Sequence, residues 1–305
     1  MTDFTPTYEM PPGSPPAEVD IDEALVRKLL QSQHPDLADL PLKRFEVGFD
    51  NEMYRLGDSY TVRLPRRAAA VPCIENEQRW LPELAARLPL PIPAPVRVGV
   101  AGDGYPWPWS IVPWMEGKAA DLGYPSDDQA TVLADFMKAL HQPAPANAPV
   151  NRVRGIPLST RAENNEERMA RLLEETDDIN PQVYQAWAEA LAAPEDANPT
   201  WLHGDMHARN VLVNESRIAA IIDWGDMTSG DRATDLAAIW MLLENQSARA
   251  NAIKTYGDDD PALWARAKGW AVIFGVVLLD TGLIDNRRHS ENGRCILERV
   301  TEDMA

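Results

Sequence analysis

His203-Gly204-Asp205-Met206-His207-Ala208-Arg209-Asn210-Val211-Leu212-Val213, then Asn214-Glu215-Ser216-Arg217, then Ile218-Ala219-Ala220-Ile221-Ile222-Asp223-Trp224-Gly225-Asp226, is the stretch that decides how this chain reads. Residues 211–213 and 218–222 are apolar runs rich in β-branched side chains, and the four polar residues between them complete the pattern of a hairpin. With those four as the turn, Val213 lies opposite Ile218 and Asn210 opposite Ile221, with Asp223 two residues further on. At ~3.3 Å per residue, Asn210 and Asp223 then sit within roughly 7 Å of each other at the open end of the hairpin, where the 203–209 loop begins. Asp205, Asn210 and Asp223 therefore converge. Magnesium takes hard oxygen ligands and keeps water and phosphate oxygens for the rest of its shell, so one Asn and one Asp suffice from protein. Asp205 is left to accept a proton or orient a hydroxyl, and the combination fits metal-assisted phosphoryl transfer. Two other readings stay open: loop polar residues that merely cap a hairpin, and a transition-metal cluster built on His203, Asp205 and His207.

His203-Gly204-Asp205, Asn210 five residues past the Asp, and Ile222-Asp223-Trp224-Gly225-Asp226 together resemble the catalytic and metal-binding loops of the aminoglycoside phosphotransferase family, small-molecule relatives of the protein kinases. Protein kinases carry His-Arg-Asp at the first motif, and Gly204 in place of the Arg is the small-molecule version. The resemblance implies Asp205 as catalytic base or hydroxyl orienter, Asn210 and Asp223 as Mg²⁺ ligands, and Asp226 as a carboxylate of the surrounding polar network. Gly230-Asp231 and Asp235-Leu236-Ala237 match the family's next segment. The implied fold is α+β: a protein-kinase-like two-lobed fold with a small antiparallel-sheet N-lobe carrying one main helix, and a mainly α C-lobe.

Size and composition agree with two lobes. At 305 residues the chain exceeds one typical domain, and its 45% hydrophobic content can bury a sizeable core. We expect a disordered or extended tail over 1–20, a nucleotide-binding N-lobe over 21–116, and a catalytic and substrate-binding C-lobe over 117–305. The tail is Pro-rich without the basic and apolar regions of a secretory signal, and the longest strongly apolar stretch, 271–279, is too short to cross a bilayer. Cys73 and Cys295 alone cannot build a disulfide framework, so a cytoplasmic location is expected. The net charge of −18, from 29 basic and 47 acidic residues, argues against a nucleic-acid partner and favours a cationic small molecule. Glu244, Asp258 to Asp260 and Asp280 are candidates to face such a substrate. The sequence leaves the oligomeric state undetermined.

Within the N-lobe, 22–32 reads as a helix with Leu25, Leu29 and Leu30 on one face. Residues 44–64 read as three short antiparallel strands broken at Asp50-Asn51 and Gly57-Asp58-Ser59. Gly48-Phe49-Asp50-Asn51 stands where kinases place a Gly-rich loop, but holds a single Gly and reads equally as a plain turn. The family resemblance calls for a Lys in the third strand to hold nucleotide phosphates. This chain offers Arg63, always charged and able to grip phosphate bidentately. Its partner would come from the helix over 74–88, where Glu77 fits the family text Glu-x-x-x-Leu better than Glu75 does, and Pro82 kinks that helix. Alternating prolines at 89, 91, 93 and 95 make a stiff link to a strand over 96–100. The strand 109–112 then leads to Pro113-Trp114, where the resemblance places the hinge whose backbone, at Val112 and Trp114, holds adenine. Pro113 has no N–H, so the donor would be Trp114.

Beyond 127 the periodicity turns helical, over 130–141, 161–175, 181–193, 232–243 with Asp231 as N-cap, 262–279 and 291–303. His141 at the end of its helix, and Asp231 and Asp235, read as structural. The resemblance implies transfer of the ATP γ-phosphoryl group, with Mg²⁺, to a hydroxyl of a small molecule: an aminoglycoside or similar cationic antibiotic, or else a macrolide, choline, homoserine or a sugar. A non-catalytic nucleotide-binding module is the alternative, supported by Arg63 in place of Lys.

Overall fold

The computed structural model describes residues 15–304, so most of the expected N-terminal tail lies outside the described residues. Two compact units are present. The first holds the described residues up to Ala85 together with Pro93–Trp114; the second holds Ala86–Ile92 and the described residues from Met115 onward. Residues 86–92, expected in the N-lobe, go with the second unit because Ile221 N–H donates to the Pro91 carbonyl at 3.1 Å and Arg87 donates to the Ala139 carbonyl at 3.1 Å.

The first unit is built from α1 (Glu23–Gln33), β1 (Leu42–Val47), β2 (Asn51–Leu56), β3 (Tyr60–Pro65), α2 (Val71–Ala85), β4 (Arg97–Gly99) and β5 (Trp109–Pro113). The strands form one antiparallel sheet in the order β1-β2-β3-β5-β4. Helix α1 starts where Asp22 Oδ1 accepts from Leu25 N–H at 2.7 Å, satisfying an end group that would otherwise lack a partner. Val26, Leu29 and Leu30 of α1 form a core with Tyr54, Leu56, Val62, Leu64 and Ile111 of the sheet. Gln78 of α2 binds the Trp109 carbonyl and Ser110 Oγ, tying that helix to β5.

The second unit contains β6 (Lys118–Ala119), α3 (Ala130–Leu140), α4 (Ala162–Glu175), α5 (Pro181–Ala192), β7 (Thr200–Leu202), β8 (Val211–Asn214), β9 (Arg217–Ile221), β10 (Thr228–Gly230), α6 (Ala233–Leu236), α7 (Ala238–Leu242), α8 (Gln246–Tyr256), α9 (Pro261–Asp285) and α10 (Arg287–Glu302). The chain is thus α+β, with an antiparallel-sheet unit and a mainly helical one. Strands β6-β8-β9 form a small sheet and β7 pairs with β10. Helix α9 runs further than the apolar periodicity predicts, and by length and composition it would pass for a membrane span; it is mostly buried inside the second unit, which accounts for its apolarity. Helix α10 starts earlier than predicted because Asn286 caps it by accepting from His289 N–H. The single helix expected over 232–243 is broken into α6 and α7.

Candidate active site

The turn between β8 and β9 is two residues, Glu215 and Ser216, both left-handed with φ 48° and 60°. Val213 pairs with Ile218 but Leu212 pairs with Ala220, so Ala219 is an extra, bulged residue. The bulge moves the register by one. Asn210 therefore meets Ile222, whose N–H donates to the Asn210 carbonyl at 2.8 Å, rather than Ile221 as the simple hairpin predicts. Asp223 follows immediately, in a left-handed conformation with φ 60° that turns its exposed carboxylate out of the strand direction.

The 203–209 loop is held from both ends. Asp235 accepts from the His203 and Gly204 N–H groups at 2.7 and 2.8 Å and faces His141 Nε2 at 3.4 Å, with Tyr256 Oη on the other His141 nitrogen at 2.9 Å. His203 is fully buried against Trp224, ring centroids 4.7 Å apart. Its Nε2 donates to the Ile222 carbonyl at 2.9 Å and its Nδ1 accepts from Asp205 N–H at 3.2 Å. Both ring nitrogens are committed to backbone, which rules His203 out as a metal ligand and removes the hydrolase reading of the His203, Asp205 and His207 trio.

Asp205 is at the centre. Asn210 Nδ2 donates to its carbonyl at 2.9 Å and to Oδ2 at 3.1 Å; Arg154 Nη2 lies 2.8 Å from Oδ1; His207 Nε2 lies 3.3 Å from Oδ2. Burial works against charge on this carboxyl, but His207 and Arg154 outweigh it and hold the group well below the usual carboxylate range. Asp226 shows the opposite balance. Burial, then the charge of Asp205, push its carboxyl up, while Asn151 Nδ2 donates to it at 2.7 Å. The donor orientation of Asn210 leaves its Oδ1 without a hydrogen bond among the described residues, and the Asp223 carboxylate also has none. Two unclaimed hard oxygens on adjacent backbone positions suit a Mg²⁺ ion.

Arg154 and Asn151 escaped sequence reasoning. They lie in the irregular 150–157 segment, whose only signal was two arginines and a glycine in a loop of an acidic chain. Tertiary contacts place it: Asn151 N–H donates to Thr228 Oγ1, Gly155 N–H to Thr234 Oγ1, and the Gly155 carbonyl accepts from Asp231 N–H at 2.9 Å. Asp231 also accepts from Ala233 N–H and pairs with Arg266, so it is structural as expected.

In the first unit, Arg63 Nη1 and Glu77 Oε2 lie 2.7 Å apart, with side chains only 9% and 1% exposed, whereas Glu75 is exposed. Val112 pairs with Thr61 in the sheet. The Trp114 N–H donates to the Ser59 carbonyl at 2.8 Å, correcting the expectation that this donor is available to adenine. Its indole packs against Phe45 and under the Arg55 guanidinium, 3.6 Å from the ring centroid. Gly48 to Asn51 is a turn closed by Gly48 N–H to the Asn51 carbonyl at 2.9 Å and braced by Arg66 on the Gly48 carbonyl and Arg67 on Asp50. Of the acids proposed to meet a cation, Asp258 pairs with Arg232, Asp280 with Arg168 and Arg171, and Asp260 caps α9, whereas Glu244 and Asp259 are exposed.

An antiparallel sheet with a buried cation–carboxylate pair, in one chain with a helical unit carrying this loop and hairpin, is the protein-kinase-like fold. Residues 41–270 match the APH phosphotransferase enzyme family, and the chain belongs to that family. It is similar to aminoglycoside 3'-phosphotransferases of Escherichia coli and Salmonella typhimurium, each 28% identical over 148 residues, 45% of this chain and 53% of the relative. The chain thus spans about half the length of the curated relatives it matches. Among solved structures it resembles the GDP complex of an aminoglycoside 2'-phosphotransferase-IIIa, with a TM-score of 0.66 at 18% identity, covering 93% of this chain and 100% of that one. It also resembles a macrolide 2'-phosphotransferase from Brachybacterium faecium, with a TM-score of 0.58 at 21% identity, covering 90% and 98%. At these identities the likeness is one of fold.

Proposed function

We propose that the chain transfers the γ-phosphoryl group of ATP to a hydroxyl of a small molecule. The observation that carries this reading is the Asp205 carboxylate, kept ionised by Arg154 and His207 and held by Asn210, next to the unclaimed oxygens of Asn210 and Asp223. Asn210 Oδ1 and Asp223 would hold Mg²⁺, which when bound neutralises phosphate charge. Arg63, fixed by Glu77, takes the phosphate-binding place, and the strand end at Val112 the adenine side.

A carboxyl held so low is a weak base at neutral pH. Asp205 therefore acts chiefly by accepting a hydrogen bond from the acceptor hydroxyl and fixing the line of attack, which is what a loose phosphoryl-transfer transition state needs. As the acceptor oxygen bonds to the γ-phosphorus, the bond to the β,γ-bridging oxygen breaks and ADP leaves, while the hydroxyl, held by Asp205, gives up its proton to the transferred phosphoryl oxygens. The names of the relatives make aminoglycosides and macrolides the first acceptors to assay.

The test is ADP release from Mg-ATP over an acceptor panel. Asp205→Ala is expected to lose turnover by at least about 100-fold while nucleotide binding, read by calorimetry, is retained. Near-normal phosphorylation by the variant overturns the role of Asp205. Tight ATP binding with no turnover by the native chain on any acceptor favours a non-catalytic nucleotide-binding module instead.

A further inference from the structure

An arginine sits on Asp205 in a chain whose net charge is −18. Arg154, already on Asp205, lies with its guanidinium carbon 4.6 Å from the Phe274 ring centroid, which limits where it can swing. Arg161, at the N-terminal end of α4, is half-buried, and its Nε is buried without a hydrogen-bond partner; no carboxylate pairs with it among the described residues. Arg154 and Arg168 are its charged neighbours, and burial together with their like charge depresses its pKa. Arg161, Asn165 and Arg168 stand at i, i+4 and i+7, one face of α4. Asn165 is 2% exposed and its Oδ1 also lacks a donor. Arg168 shares Asp280 with Arg171, so that carboxylate is saturated.

Crowding an unpaired guanidinium among others costs free energy unless an anion joins them. Guanidinium groups offer paired N–H donors that match a carboxylate or phosphate, and they suit a polycationic aminoglycoside poorly. We propose that Arg161, with Arg154 and Arg168, binds an oxyanion group, a carboxylate or a phosphate, on the hydroxyl-bearing acceptor of this enzyme. Asn165 Oδ1 supplies an acceptor for a further hydroxyl of the same molecule. The proposal rests on the phosphotransferase reading above and narrows its acceptor to an anionic polyol or hydroxy acid.

The experiment is calorimetric titration of the native chain, with Mg-ADP present, by gluconate, glucose 6-phosphate and kanamycin, repeated with Arg161→Gln and Arg161→Lys. Gluconate or glucose 6-phosphate is expected to bind, the better of the two distinguishing carboxylate from phosphate. Arg161→Gln weakens that binding by about ten-fold or more and Arg161→Lys restores part of it, while the melting temperature and Mg-ADP affinity stay near native. Kanamycin binding tighter than both anions, neither anion binding, or unchanged anion affinity in a folded Arg161→Gln overturns the proposal. Slow hydrolysis of Mg-ATP by the native chain against Asp205→Asn tests the phosphotransferase reading separately, since it needs no acceptor.

Discussion

Gly204 has φ +86°, and a Cβ there would lie 2.5 Å from the Asp226 carbonyl oxygen. Backbone at that distance has nowhere to go, which is the physical reason for a Gly where protein kinases carry Arg. Gly204→Ala is expected to move Asp205 and lower kcat by about 10- to 100-fold, read by ADP release, because small misplacements of a positioning group are costly. The raised pKa of Asp226 makes a second, pH-dependent prediction. Below the ordinary carboxyl value both folded and unfolded forms are protonated; as pH rises above it the unfolded chain ionises first, so this residue withdraws stability from the fold. Asp226→Asn keeps an oxygen for Asn151 and removes that cost. Its melting temperature relative to native is expected to rise between about pH 4 and pH 7, by on the order of 2 °C. A difference that stays flat or falls over that range contradicts the assignment. Asp235 shows what residue identity hides: it read as structural, and its structural work is to hold the His203 and Gly204 amides at the start of the 203–209 loop.

Elements were legible in proportion to how far local patterning sets them. The three N-lobe strands and helices α3, α4 and α5 lie within a few residues of where periodicity puts them. The hairpin was legible too, but its bulge was not, because one extra residue in a ladder leaves the apolar pattern almost unchanged while shifting Asn210 from Ile221 to Ile222. Helices α9 and α10 were undersized because their facing ends, 280–285 and 287–290, are mostly polar and carry little apolar periodicity. The two helices pack closely against each other, with glycine at the crossing. A Cβ on Gly293 would lie 2.5 Å from the Leu279 nitrogen and 2.7 Å from the Gly275 carbonyl. Gly293→Ala is expected to separate the helices and cost about 1–3 kcal/mol, seen as a lower urea midpoint. A midpoint at or above native would show that the crossing can relax.

Charge acts across the whole molecule. Close pairs such as Arg63–Glu77 and Arg249–Asp303, at 2.7 and 2.8 Å, are shielded by burial, whereas the excess acidic charge repels over longer range. Raising ionic strength from about 0.01 to 0.15 M shortens the screening length from about 30 to 8 Å and is expected to raise the melting temperature by a few degrees. A fall would mean that surface ion pairs outweigh net repulsion. The same excess charge pointed to a cationic ligand; of the acids singled out for it, Asp258 and Asp280 are taken by arginines, and a guanidinium sits on Asp205.

By itself the sequence determined the family and the fold class, and it singled out Asp205, Asn210 and Asp223 as one group, because they are brought together by one loop and one hairpin, contacts that span some twenty residues. It also singled out Glu77 over Glu75, through the spacing to Leu81. Only the tertiary structure decided what surrounds Asp205. Arg154 and Phe274 come together there from segments far apart in the chain, one on a loop with no periodicity and the other on helix α9. Their sequence positions carry no sign of proximity, since that proximity is set by how helices and loops pack and not by local pattern.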